Sequence, residues 1–80
     1  MNLIKRTTLH YQGNSDSNCE INLWEVEEEK YEVILIQKVL KGYYYKLDTK
    51  TKETVSLAEA EKIFYRFIRD KKKRGFALAS

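Results

Sequence analysis

Residues 37–46, QKVLKGYYYK, bring together three lysines, a glycine and three consecutive tyrosines. Lysine beside exposed aromatic rings suits a polyanion that also offers flat groups: the ammonium meets phosphate, and the ring stacks on a base or sugar. The candidate nucleic-acid contacts are therefore Lys38, Lys41, Tyr43, Tyr44, Lys46 and Lys50, with Lys52 extending the row. A secondary basic face comes from helical spacing, because Lys62, Arg66, Arg69 and Lys73 fall on one stripe at about 100° per residue. Both sets also have plain structural readings. Tyrosine runs are ordinary strand material, and a helix in water needs a charged outer face, on which Arg66 and Asp70 are spaced to pair.

Other chemistry finds little support. His10 is the single histidine, and the nearest nucleophiles, Ser15, Ser17 and Cys19, lie beyond a turn with no orienting carboxylate in sight. One cysteine cannot close an intrachain disulfide, and with one histidine it cannot complete a four-ligand zinc site. Gly13 and Gly42 are isolated, so no phosphate-cradling loop is present. The expectation is a domain without catalytic residues, metal, cofactor or small-molecule substrate.

Charge is distributed unevenly along the chain. Residues 1–37 hold three basic against seven acidic side chains, a net −4, whereas residues 38–80 hold twelve against five, a net +7. Such polarity can steer an anionic partner to one side of a molecule.

The elements that must position these groups follow from pattern. Eighty residues without proline suit one domain with a single core. Residues 3–12, LIKRTTLHYQ, read as a strand that stops at the turn formers Gly13-Asn14-Ser15-Asp16. Residues 19–26 alternate, with Ile21 and Leu23 on one face and Trp24 and Val26 on the other; Trp24 is expected to pack under its neighbours. After a solvated turn at Glu27-Glu28-Glu29-Lys30, Tyr31–Leu40 is apolar on both faces, as a central strand is. Gly42 is the expected reversal. In the next strand, Tyr43 to about Val55, Tyr45, Leu47, Thr49 and Thr51 point one way. Lys46, Asp48, Lys50 and Lys52 point the other, an exposed side that suits a guarded edge.

A helix is predicted from about Leu57 to Arg74. Ser56 and Glu59 have the spacing of a capping box, Leu57, Ala60, Ile63, Phe64, Phe67 and Ile68 share one face, and Gly75 follows the basic run Lys71-Lys72-Lys73-Arg74 as a stop. Phe76 and Leu78 can return to the sheet or cover the rim of the core. The fold class is α+β: an antiparallel meander of four to five strands packed against one long C-terminal helix.

With these elements in place, the chain resembles a WGR domain, the small module of poly(ADP-ribose) polymerases and of bacterial proteins that lack that enzyme. The similarity is carried by RTTLHYQGNSDSNCEINL (6–23), VSLAEAEKIF (55–64) and DKKKRGF (70–76). The motif that names the family departs. Its Trp or Tyr, Gly and Arg fall near Gln37, Lys38 and Val39, Gly42 matches a downstream glycine, and Cys19 stands where the family has tyrosine. In the polymerases the domain helps recognise broken DNA ends, with that aromatic and arginine near the nucleic acid. The resemblance therefore implies the fold and a DNA-facing surface, but Val39 can make neither contact.

Two functional expectations follow: a nucleic-acid-binding module gripping backbone phosphates or DNA ends, or a protein-interaction module, self-associating through the apolar run VILIQKVL. No membrane span or signal sequence is visible, and a cytoplasmic location is expected.

Overall fold

A computed structural model describes residues 1–13, 17–41 and 43–79, and for Lys41 the backbone alone. In chain order the elements are β1 (Asn2–Tyr11), β2 (Ser17–Glu27), β3 (Lys30–Lys41), β4 (Tyr44–Thr54), α1 (Leu57–Lys73) and β5 (Phe76–Leu78). The strands form one antiparallel sheet in the order β4-β3-β2-β1-β5. The α+β meander expected from the pattern is the fold, and Phe76 and Leu78 return to the sheet by pairing with Tyr11 and Leu9. The expected turn at Asn14–Asp16 and the reversal at Gly42 lie outside the described residues.

Alternation decides what the helix covers. Leu9, Cys19, Ile21, Leu23, Val33 and Leu35 project from one face and are buried against Ala60, Phe64 and Phe67 of α1, with Phe76 closing one end. Ile63, Ile68 and Tyr31 pack around this core, while Leu57 stays at its rim, 38% exposed. Burying such side chains contributes about 1.5–3 kcal/mol each, and this is what fixes the register, since a slip of one residue would turn each of them to water.

The helix start differs from the reciprocal capping box. The Ser56 hydroxyl does accept from the Glu59 amide at 3.4 Å, but the Ser56 amide donates to Thr54 Oγ1 at 3.3 Å, and the Glu59 carboxylate pairs with Lys62 at 3.7 Å. Thr54 at the end of β4 is already held beside Ser56 and supplants the flexible glutamate. At the other end Arg74 is the C-cap, one residue beyond the last helical position, and Gly75 takes φ +97°, the left-handed conformation that glycine adopts without strain. A Cβ on Gly75 would also lie 3.1 Å from the Tyr11 ring, which packs 5.4 Å from Phe76.

The turn joining β2 to β3 carries strain. Glu29 sits at φ +57° although it has a side chain, a conformation that costs an L-residue roughly 1–2 kcal/mol. Asparagine tolerates it better. Replacing Glu29 with Asn should raise stability by about 0.5–1 kcal/mol, read as a higher urea midpoint with an unchanged slope; a lower midpoint would contradict the turn geometry.

Candidate functional site

One helix about 10–12 Å across cannot cover five strands spaced about 4.8 Å apart. Here α1 lies over the middle of the sheet, and edge strand β4 extends beyond it. Every residue from Tyr44 to Glu53 is exposed. The lysine row of β4 is thus exposed, as expected, yet it lies on the same side of the sheet as the helix: Lys50 pairs with buried Leu35, Lys52 with buried Val33, and Asp48 with Gln37.

Between that row and the C-terminal half of α1 runs a groove of about 220 Å3, lined by Leu35, Lys50, Phe67, Asp70, Lys71 and Arg74. Its lining combines apolar Leu35 and Phe67 with three cations and one carboxylate, Asp70. Lys50 Nζ stands 5.6 Å from the centre of the Phe67 ring, a cation–π contact that lays the aliphatic stem along the floor and keeps the ammonium at the opening. Lys71 Nζ donates to Gln37 Oε1 and lies 5.3 Å from the Phe76 ring. Because Gln37 pairs with Asp48 and Val39 with Lys46, Lys46 extends the row beyond the groove on the side of the helix end, whereas Lys52, opposite Val33, lies in the other direction. The helix C-terminus itself carries partial negative charge. Its effect is blunted here, since the Arg74 amide donates to the Lys71 carbonyl at 3.0 Å and the Gly75 amide to that of Lys72 at 3.1 Å.

The candidate residues read from the sequence divide between two surfaces. Lys46, Lys50 and Tyr44 alternate onto the helix side of β4. Lys38 projects from the opposite face of the sheet, where its Nζ stands 4.1 Å over the ring of Tyr45. Tyr43 lies wholly exposed in the turn before β4, and Lys41 is placed by backbone pairing opposite Tyr44. Lys38 therefore cannot act with Lys46 on one ligand surface; strand parity separates them.

Lys62, Arg66, Arg69 and Lys73 are all exposed on the outer side of α1. The first three line a shallow depression with Ala58, Glu61 and Tyr65. Of its cations Lys62 pairs with Glu59, while Glu61 lies 3.5 Å from Lys5 of β1. The Tyr65 hydroxyl, 2.7 Å from Lys5, and then Glu61 hold that ammonium above its usual pKa. Asp70 lies outside ion-pair distance of Arg66 and instead lines the β4 groove.

The structure adds Lys71 and Arg74 to the site. Their only sequence signal was a basic helix end, which reads equally well as a response to the helix dipole. His10 and Cys19 leave their strands on opposite faces of the sheet. Burial raises the Cys19 thiol above its ordinary pKa, opposed by nearby Lys71, so the side chain packs as an un-ionised apolar group. Among the described residues no three His, Cys, Asp or Glu side chains gather as metal ligands, and no helix is long and apolar enough to cross a membrane. No family model, curated protein or solved structure matches this chain.

Proposed function

We propose that this chain is a non-catalytic nucleic-acid-binding module that holds the DNA backbone, or a DNA end, in the groove between β4 and α1. The observation that carries this reading is the set of three cations lining the groove, Lys50 from the strand and Lys71 and Arg74 from the helix end, against the one carboxylate Asp70, with Lys46 and Lys52 flanking Lys50 on the same side of β4. Lysines two residues apart on a strand are about 6.6 Å apart, close to two steps of about 3.4 Å between charges along one strand of a duplex. Tyr44, exposed at the end of the row, offers a ring to a sugar or an unpaired base. These contacts position a backbone and read little sequence.

The WGR resemblance points the same way, and the β3–β4 register suggests how an altered motif retains a charge. Val39, at the place of the family's arginine, is directly opposite Lys46 on the same face of the sheet. Side chains so paired have Cβ atoms about 4.5–5.5 Å apart. Lys46 thus offers a cation from the neighbouring strand, where Lys38, on the other face, does not.

The test is a salt-titrated binding measurement with nicked duplex, blunt duplex and single-stranded DNA, with RNA of the same sequence alongside. With four or five phosphate contacts, log K should fall with log salt at a slope of about −4 on duplex. Preference for the nicked or blunt-ended forms would assign end recognition. Absence of binding to all of them at low salt would remove the reading.

A further inference from the structure

The face of the sheet turned away from α1 has no covering element, and its residues are not those of a face built only for water. Along β3 it presents Glu32, Ile34, Ile36, Lys38 and Leu40, and beside them on β4 Glu53, Thr51, Thr49, Leu47 and Tyr45. Trp24 of β2 lies half-buried on the same face, next to Glu32. Towards β1 the surface becomes polar and internally satisfied. Arg6 Nε donates to Asn22 Oδ1 at 2.9 Å, Asn22 Nδ2 donates to Glu20 Oε1 at 2.9 Å, and Arg6 and Glu20 are 3.3 Å apart. An apolar centre with a polar rim is the anatomy of an interface. A strand as apolar on both faces as β3 is normally covered on both.

The charges choose the occupant. At one end Glu32 and Glu53 stand directly opposite each other across β3 and β4, a repulsive pair with no cation within ion-pair distance among the described residues. At the other end Lys38 has no carboxylate partner among those residues and leans on Tyr45. Glu32 and Lys38 are separated by about 20 Å of strand, and Ile34 and Ile36 lie symmetrically between them.

We propose that this face packs against the same face of a second copy, about a two-fold axis that lies between the sheets, runs across the strands and passes over residue 35 of β3. That operation sets Glu32 against Lys38 of the other copy, Ile34 against its Ile36 and Thr51 against its Thr49, each twice, as an isologous interface requires. A two-fold axis along the strands would superpose the acidic ends instead. The resulting contact is an aligned sheet-on-sheet packing. Four strands spaced about 4.8 Å with about eleven residues each give a footprint of roughly 700 Å2 per copy, near the roughly 800 Å2 per partner of a stable interface. Both helices, and the groove beside each, stay on the outside.

This inference is independent of the nucleic-acid reading, and sedimentation of the protein alone tests it. The wild-type chain should sediment as a monomer–dimer equilibrium. Ile36→Lys should shift it to monomer by at least tenfold in dissociation constant, with circular dichroism confirming that the sheet is intact. Glu32→Lys and Lys38→Glu should each weaken the dimer, and the double swap should restore it, which a merely structural role for either residue would not produce. A chain that stays monomeric at all concentrations would overturn the proposal. So would a dimer indifferent to Ile36→Lys and to the swaps, since it would be built on another surface.

Discussion

Truncating Phe64 to alanine should destabilise the fold by about 3–5 kcal/mol, the range for a large core aromatic replaced by a methyl group. Phe64 is 3% exposed and projects from the middle of α1 into the sheet residues Leu9, Ile21, Leu23 and Val33. A domain of 80 residues has a total stability of only about 4–12 kcal/mol. The variant should therefore be partly unfolded at physiological temperature, with a urea midpoint far below that of the wild type. Leu57→Ala is the informative comparison. Both residues belong to one apolar stripe in the sequence, but Leu57 remains exposed at the rim, so its truncation should cost less than about 1 kcal/mol. Equal losses at the two positions would mean that α1 docks with its first turn engaged, contrary to the structure.

That pair also illustrates what the sequence could specify. Helical periodicity showed which face of α1 is apolar, and Gly75 marked its end, because both are local properties of the chain. How far along the stripe the sheet extends is not local, and so Leu57 could not be told from Phe64. The edge strand shows the same limit. Alternation separated Lys46, Asp48, Lys50 and Lys52 from Tyr45, Leu47, Thr49 and Thr51, but with both sides polar enough to be exposed, nothing in β4 itself says which lies on the helix side. That assignment depends on the register with β3, where Lys50 meets Leu35 and Lys52 meets Val33.

Spatial neighbours also revised one local reading and added to another. The spacing of Ser56 and Glu59 fits a capping box, but Thr54 is nearer to the Ser56 amide than a glutamate that can pair with Lys62. At Gly13 the structure adds a steric reason for glycine to its place among the turn formers, since the Tyr11 ring occupies the position that a Cβ would take. The candidate surface was redrawn in the same way. Lys38 is adjacent in sequence to the other candidates and faces away from them, whereas Lys71 and Arg74 are distant in sequence and face Lys50 across the groove.

The redrawn surface predicts which charge reversals should matter. Contacts between a charged donor and phosphate contribute about 1.5–3 kcal/mol each, so Lys46→Glu or Arg74→Glu should weaken DNA binding by about ten- to a hundredfold. The pair together should also reduce the magnitude of the salt slope by about 2, the signature of two lost phosphate contacts. Lys30→Glu makes the same change in net charge at the far end of β3, nine residues from the position opposite Lys46 and so roughly 30 Å of strand away, and should affect only the weak long-range attraction that salt screens. Arg66→Glu and Arg69→Glu on the outer side of α1 separate the two basic surfaces. If they abolish binding while Lys46→Glu and Arg74→Glu do not, the nucleic acid lies along the outside of the helix and the groove is not its site. Thermal unfolding of each variant completes the comparison. Lys46 and Arg74 are exposed, so their reversal should leave the transition within a few degrees of the wild type, and a loss of affinity then reports on the lost contact rather than on the fold.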